Sequence, residues 1–259
     1  MKNFFIFLVS RIIKLFANLT KLLCYGFHSL FPNKRFTLPK QAAPLLRSSK
    51  PALIARIVWQ TNYTDRVTLP LYLNYLCNRL LAPRFEFRFM VTEDRAAFIQ
   101  AHYSPEIFQN YSRLQIGAAQ ADFWRLLVLQ KYGGVYLDID AHFIWPAGDI
   151  IRPDYEELYV TTRRGEISNY FIASKADNPH LAQMIELILQ NIRENRSNNV
   201  YELTGPGVFN QVLERDEVRT ISYRHACNQG NFTNEYFQYI DKPEGKWTKA
   251  QKQIDIVKK

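Results

Sequence analysis

The chain has 259 residues, 47% hydrophobic and 14% aromatic, which excludes a disordered polypeptide and allows one domain with a sizeable core. Its three cysteines are scattered and odd in number, so they argue against a disulfide scaffold or a zinc site and fit a reducing compartment. The net charge of +9 lies entirely in residues 1–50, which hold nine Lys or Arg and no acid. Because the rest of the chain is formally neutral, we predict no nucleic-acid partner.

Residues 1–31 are predicted to form an amphipathic helix that binds an anionic membrane surface. No run reaches the roughly 18 uncharged apolar residues that a membrane span needs. Basic side chains at Arg11, Lys14 and Lys21 recur at helical spacing and share one face. The other faces are largely apolar, at Ile12, Leu15, Phe16, Leu19, Leu22 and Leu23. A basic stripe beside a broad apolar face suits anionic headgroups; a helix packed on the core and a signal sequence are the alternatives.

Residues 32–52 are predicted to be a linker, because four prolines with intervening Lys and Ser fall in this stretch. The region 53–259 is predicted to be one α/β domain, since strand patterns at Leu53–Thr61 and Phe85–Val91 alternate with helical patterns. The helical patterns cover about 69–81, 93–101, 118–131, 179–194 and 206–214.

A helix followed by a buried strand is predicted in the middle of the chain. Residues 118–130 hold good helix formers, with apolar residues at helical spacing. Gly133 and Gly134 come next, where a helix end favours a residue that tolerates positive φ. Val135–Ile139 then has the composition of a buried strand, apolar apart from one aspartate.

Two carboxylates, Asp138 and Asp140, stand at the end of this predicted strand. Because strand side chains alternate, both are expected to point the same way, as a site for Mg²⁺ or Mn²⁺ carrying a diphosphate. Alone, an Asp-x-Asp triplet is usually a solvated loop, and Asp122 with Arg125 one helical turn away is usually a surface ion pair. The occurrence of both within 19 residues favours chemistry on a nucleotide-activated substrate.

This block resembles the sugar-binding region, with its Asp-x-Asp motif, of glycosyltransferase family 32. The resemblance is strong over about 118–145 and looser over about 53–247. The chain is similar, more distantly, to the glucosyltransferase domain of large clostridial toxins. The resemblance implies a GT-A fold, which is an α/β, Rossmann-like nucleotide-diphospho-sugar transferase fold. It also implies a nucleotide-sugar donor, Mn²⁺ or Mg²⁺ as cofactor, and retention of anomeric configuration.

The same resemblance implies roles for four residues of the block. Asp138 and Asp140 would hold the donor ribose and the metal–diphosphate, with Asp140 as the main metal ligand and Asp138 assisting. Asp122 and Arg125 would contact the donor sugar and shape its pocket. Asp138, Asp140 and Arg125 are therefore the predicted catalytic residues.

Three further residues are predicted to bind the donor. Trp59 ends the opening strand where the family often has His, and it is expected to stack on the nucleobase, with a core position as the alternative. Asn169 resembles an Asn on a strand of the relatives. Trp247 is expected to donate its indole N–H to a phosphate oxygen, although Gly245–Thr248 lacks the adjacent His with which many relatives close the site.

These observations predict a metal-dependent, retaining glycosyltransferase that transfers a sugar to a glycan or lipid-linked acceptor. The bacterial members of the family suggest capsule or lipopolysaccharide synthesis, with the enzyme attached peripherally to the cytoplasmic face of the inner (plasma) membrane. One alternative is a catalytically inactive GT-A scaffold that binds carbohydrate or membrane. The other is a metal-dependent hydrolase or phosphotransferase that acts on nucleotide diphosphates.

Overall fold

A central seven-stranded sheet organises residues 2–258, the part of the chain that the computed structural model describes. The first elements are α1 (Lys2–Leu30), β1 (Phe36–Thr37), β2 (Gln41–Ala42), β3 (Ile57–Thr61), β4 (Arg66–Val67), α2 (Leu69–Leu81), β5 (Glu86–Met90), α3 (Thr92–His102), α4 (Pro105–Arg113), α5 (Gly117–Tyr132), β6 (Gly134–Leu137) and β7 (Ala141–Phe143). They are followed by α6 (Ala147–Ile150), β8 (Glu157–Thr161), β9 (Ile167–Ser174), α7 (Pro179–Glu194), α8 (Val200–Leu203), α9 (Pro206–Val212), β10 (Thr220–Ser222), α10 (Tyr223–Ala226), β11 (Cys227–Gln229), α11 (Glu235–Tyr239), a 3₁₀ turn (Pro243–Gly245) and α12 (Trp247–Ala250).

The sheet has the strand order β10-β8-β9-β6-β3-β5-β2. Its centre is parallel, because β3 runs parallel to both β5 and β6, while β9 and β2 join antiparallel. Alternate side chains of each strand enter two hydrophobic clusters. One cluster contains Trp59 and Tyr136 with α3, α5, α7 and α9, and the other contains Val58 and Val135 with α2 and α6. The prediction of an α/β domain is confirmed, and the structure adds that helices cover both faces of its sheet.

The double glycine between α5 and β6 behaves as predicted. Gly133 ends α5 with φ of 63°, and its N–H donates to the carbonyl of Leu129 at 2.7 Å. Gly134 has φ of 110°, and a Cβ there would lie 2.7 Å from the carbonyl oxygen of Ile57 on the neighbouring strand. A side chain at position 134 would therefore separate β6 from β3, which explains the need for glycine.

The predicted strand Val135–Ile139 is too long. β6 ends at Leu137, and Asp138–Asp140 form a tight turn closed by a hydrogen bond from the N–H of Ala141 to the carbonyl of Asp138 at 2.9 Å. Strand alternation is therefore the wrong reason for the convergence of the two carboxylates. The turn places both of them at the carboxyl edge of the sheet, where β6 and its neighbour β3 end.

The predicted linker 32–52 contributes strands to the fold. β2 pairs with β5 through the Gln41–Arg88 and Ala42–Phe87 positions, so it forms the edge of the central sheet. β1 pairs with β4. The segment is thus tied to the domain by backbone hydrogen bonds and is not a free spacer.

Helix α1 packs one face on the domain and exposes the opposite face. The buried positions are mostly small or polar, at Ile6, Ser10, Ala17, Thr20, Cys24 and His28. The exposed positions include the predicted apolar face, at Ile12, Leu15, Phe16, Leu19, Leu22 and Leu23, with side chains 55–73% exposed. The alternative of a core-packed helix therefore applies to one side of α1 only. Among the described residues, no helix has the length and apolar character needed to cross a membrane.

Candidate active site

A cleft of about 920 Å³ lies at the carboxyl edge of the sheet. It is bounded by the Asp138–Asp140 turn, the residues that follow β3, the start of α5 and the segment 229–247. In a parallel α/β sheet, this edge is where ligands bind, because the strand ends and helix starts leave a crevice there. Six of the predicted site residues line the cleft: Asp122, Arg125, Asp138, Asp140, Asn169 and Trp247.

The two carboxylates of the turn are held together by Gln229. Its Nε2 donates to Asp138 Oδ2 at 3.1 Å and to Asp140 Oδ1 at 3.0 Å. Gln229 ends β11, which pairs with β7 directly after the turn, so its backbone partner is Ala141. Tyr136 adds a second donor, since its hydroxyl donates to Asp138 Oδ1 at 2.6 Å. The carboxylates are thus fixed by protein donors before any ligand binds.

The electrostatics of the turn favour a cation. Burial, together with the negative charge of Asp138, raises the pKa of Asp140 to about 7. Burial also raises the pKa of Asp138, against the opposing charge of Arg125. Two partly desolvated carboxylates with a shared donor match the oxygen ligands that Mg²⁺ and Mn²⁺ prefer. Within residues 2–258, no group of three or more acidic, His or Cys side chains is arranged to hold a metal ion, so a metal at this turn would take further ligands from a diphosphate or water.

Asp122 and Arg125 form a buried pair in place of the surface ion pair considered as an alternative. Arg125 Nη2 lies 2.8 Å from Asp122 Oδ1, and both side chains are less than 10% exposed. Asp122 also accepts from Asn169 Nδ2 at 2.9 Å and from the Thr204 hydroxyl at 3.1 Å. Arg125 Nη1 donates to the carbonyl of Asn169 at 2.7 Å. Every oxygen of the Asp122 carboxylate is therefore engaged by a protein donor.

This buried pair is connected to the Asp138–Asp140 turn. Arg125 Nη1 lies 3.4 Å from Asp138 Oδ1, and the guanidinium lies over the Tyr136 ring, 4.2 Å from its centroid. Burial raises the pKa of Asp122 to about 7, although the charge of Arg125 opposes that rise. Among residues 2–258, Arg125 is the one cation that forms ion pairs with both Asp122 and Asp138, and its charge offsets part of their repulsion.

The prediction that Trp59 stacks on a nucleobase is wrong. Trp59 is fully buried, and its Nε1 donates to the carbonyl of Gly133 at 3.0 Å. Its ring stacks on Tyr132 with centroids 5.9 Å apart, on the sheet face covered by α5 and away from the cleft. The physical reason is Gly134, because the absence of a side chain there leaves room for the indole. The aromatic residue that follows β3 and lines the cleft is Tyr63.

A Trp59→Phe variant is expected to lose stability and keep its affinity for nucleotides. Loss of the Gly133 hydrogen bond and of part of the indole volume should lower the free energy of unfolding by about 1–2 kcal/mol. Urea unfolding and nucleotide titration would measure the two effects separately. Weaker nucleotide binding with unchanged stability would instead indicate that Trp59 contacts the donor.

Other contacts of the site could not be read from the sequence. Gln229 lies 89 residues beyond Asp140 and belongs to no motif. Thr204 precedes a Gly-Pro-Gly sequence, and its hydroxyl bond to Asp122 spans 82 residues. Trp247, at the start of α12, lines the cleft and packs partly on the core. The roles of the predicted residues in donor binding stay predictions.

Residues 70–158 match the family model described as "Glycosyltransferase sugar-binding region containing DXD motif". The match contains both the Asp122–Arg125 pair and the Asp138–Asp140 turn. This part of the chain is therefore similar to a glycosyltransferase sugar-binding region, in agreement with the resemblance seen in the sequence.

The chain is similar to several named glycosyltransferases. It is 25% identical over 249 residues to the initiation-specific alpha-1,6-mannosyltransferase of Candida albicans, with 72% of this chain and 63% of the relative covered. It is 28% identical over 152 residues to the uncharacterized glycosyltransferase L373 of Acanthamoeba polyphaga mimivirus, with 53% and 58% covered. The matches thus span about three fifths of these two relatives.

Two solved structures of glycosyltransferases are also similar. The PaToxG glycosyltransferase has a TM-score of 0.47 and 17% identity, with 80% of each chain covered. The UDP-bound glycosyltransferase domain of the YGT toxin has a TM-score of 0.40 and 13% identity, with 57% of this chain and 54% of that chain covered.

Proposed function

We propose that the protein is a metal-dependent glycosyltransferase that moves a sugar from a nucleotide-sugar donor to a glycan or lipid-linked acceptor. The observation that carries the proposal is the Asp138–Asp140 turn, which lies in a large cleft beside the buried Asp122–Arg125 pair. A carboxylate pair held by Gln229 suits a metal–diphosphate, and the neighbouring hydrogen-bonding groups suit a sugar.

The side chains of the cleft have distinct parts in the proposed reaction. Asp140, with Asp138, would hold Mn²⁺ or Mg²⁺, which neutralises the diphosphate and makes the nucleotide a better leaving group. Arg125 holds Asp138 and Asp122 in place and offers positive charge beside the donor. Asp122 positions the sugar and is a poor covalent nucleophile, because protein donors occupy both of its oxygens. Retention of configuration follows from the family resemblance.

The named relatives suggest the donor sugar. Two of the similar proteins are described as alpha-1,6-mannosyltransferases, one from Candida albicans and one from Schizosaccharomyces pombe. We therefore propose a hexose donor, with nucleotide-linked mannose as the first candidate. A role in capsule or lipopolysaccharide synthesis is part of the proposal and rests on the resemblance to bacterial members of the family.

A thermal-shift panel of UDP-, GDP- and CMP-sugars with Mn²⁺ tests the donor site. A donor at about 100 times its Kd adds about 2.7 kcal/mol to the stability of the folded protein, which raises the Tm by several degrees. We expect one nucleotide class to do so only with Mn²⁺, and Asp140→Ala to abolish the shift. The exposed Asp154→Ala serves as the control and should keep it. No shift with any donor would favour the inactive scaffold, and release of free sugar without an acceptor would favour the hydrolase.

The exposed face of α1 supports a peripheral membrane location, which we propose to be the cytoplasmic face of the plasma membrane. Six large apolar side chains of this face are more than half exposed, and Arg11 and Lys14 flank them on the exposed surface. Insertion of such a face to the depth of the acyl boundary, with basic side chains at the headgroups, is the usual mode of interfacial helices. This location would bring the enzyme to a lipid-linked acceptor.

Vesicle sedimentation with a matched pair of variants tests this location. Leu15 on α1 and Leu80 on α2 are both 73% exposed. Leu15→Asn should weaken binding to vesicles that contain phosphatidylglycerol by about tenfold, because a buried Leu contributes about 1.5–3 kcal/mol. Leu80→Asn should bind like the wild type. Equal binding by all three proteins would rule out insertion of the α1 face.

A further inference from the structure

A second cavity, of about 390 Å³, lies between α1 and the domain. Its walls are the first half of α1, the turn that follows β8, and the segment Tyr223–Asn231. The membrane-facing helix thus forms one side of the cavity, and the catalytic domain forms the other.

The cavity is lined by four cations and by no carboxylate. Arg11 and Lys14 come from α1, Arg163 from the turn after β8, and Arg224 from α10. None of the four forms an ion pair with a carboxylate among residues 2–258. Arg224 donates to the hydroxyl of its neighbour Tyr223 at 3.2 Å, and Arg11 lies over the Phe7 ring, 4.7 Å from its centroid. The four positive charges around this cavity repel one another, and an anion bound between them would offset that repulsion.

This cavity adjoins the candidate active site. Tyr170 and Gln229 line both cavities. Gln229 is also the residue whose amide contacts both Asp138 and Asp140. An anion held by the four cations would therefore lie in a cavity that shares two lining residues with the proposed metal–diphosphate site.

The cavity also lies at the border of the apolar face of α1. The neighbouring positions Ser10 and Ala17 are buried against the domain, and Ile12 and Leu15 are exposed. With about 3.6 residues per turn, Arg11 and Lys14 fall between these two faces. If the apolar face inserts into a membrane, the basic side chains and the cavity between them come to the level of the lipid phosphates.

We propose that this cavity binds the phosphate or diphosphate of a lipid-linked acceptor and so anchors it beside the donor. The proposal rests on the proposed glycosyl transfer and names the acceptor class as a phosphorylated lipid. Guanidinium groups suit this role, because they donate several hydrogen bonds to phosphate oxygens in a fixed geometry. Bulk anionic phospholipid has the same chemistry, so the test has to separate the two sources.

Farnesyl phosphate, with farnesol and inorganic phosphate as comparisons, provides a soluble probe. The test variant is Arg163→Gln/Arg224→Gln, which removes two cations of the cavity and leaves α1 unchanged. The control is Arg164→Gln/Arg215→Gln, which removes the same charge from exposed positions outside the cavity. We expect the test variant to bind farnesyl phosphate at least about tenfold more weakly than the wild type and the control. Farnesol should bind all three proteins alike, and inorganic phosphate should compete only weakly.

Two outcomes would overturn the assignment. One is equal affinity of the test and control variants for farnesyl phosphate. The other is an equally large loss of binding by the test variant to vesicles with about 20% phosphatidylglycerol, which would identify bulk phospholipid as the ligand. The Mn²⁺-dependent donor shift should persist in the test variant. Absence of that shift in the wild type, with the farnesyl phosphate difference intact, would reject glycosyl transfer while leaving the phosphate site in place.

Discussion

An Asp140→Asn variant is expected to transfer sugar with a kcat/KM about 100- to 1,000-fold below that of the wild type, or lower. The substitution keeps the shape of the side chain and an oxygen that accepts from Gln229. It removes the negative charge that would hold the metal, and with it the neutralisation of the leaving diphosphate. Initial rates at a series of Mn²⁺ concentrations, with the donor that the thermal-shift panel identifies, would measure the effect.

The matched control for this prediction is Asp154→Asn, an exposed carboxylate outside the cleft. Its kcat/KM should stay within about twofold of the wild-type value, because a distant solvated charge contributes little. A partial recovery of Asp140→Asn at high Mn²⁺ would agree with a metal role. Full activity of Asp140→Asn at every Mn²⁺ concentration would contradict the proposed mechanism.

The second large effect is expected from Arg125→Leu, which should lower the free energy of unfolding by about 3–5 kcal/mol. Arg125 neutralises the buried Asp122 and approaches Asp138, so its removal leaves two carboxylates close together without a cation. Breaking one side of a buried ion pair has this cost because the remaining charge is poorly solvated. Urea unfolding at neutral pH, with the two-state criteria checked, would provide the measurement.

The ion pair of Arg152 and Asp154 is the appropriate comparison. Its atoms are 3.4 Å apart and both side chains are 64% exposed, so Arg152→Leu should change the stability by less than about 1 kcal/mol. Similar losses for the two arginine variants would indicate a general effect of charge removal. In that case the buried position of Arg125 would not be the cause.

The sequence predicted the bounds of helices correctly where these bounds depend on residues close together in the chain. The predicted bounds of α2 and α7 agree with the structure, since each helix begins with a proline in its first turn and has an amphipathic or buried face. The end of α5 at Gly133 was predicted for the same kind of reason. Strand ends were less accurate: the opening strand was predicted from Leu53 and begins at Ile57.

Errors arose where a residue's environment depends on distant segments. Trp59 has the sequence position of a ligand-stacking residue. Its indole is buried in the core instead, because Gly134 on the neighbouring strand leaves room for it. The segment 32–52 has the composition of a linker, but β5 offers an unpaired edge that β2 fills. Gly134 is far from Trp59 in the chain, and β5 is far from β2. The spacing of apolar residues within a segment therefore carries no information about either contact.

Four features can be read from the sequence alone: the α/β class, the Asp-x-Asp motif, the proximity of Asp122 to Arg125 on one helix, and the amphipathic character of α1. Each of these depends on residues within a few positions of one another. Three others require the three-dimensional structure: the burial of the Asp122–Arg125 pair, the contact of Gln229 with both carboxylates, and the exposure of the apolar face of α1. These features depend on contacts between residues tens to hundreds of positions apart, whose formation follows from burial and packing of the whole chain.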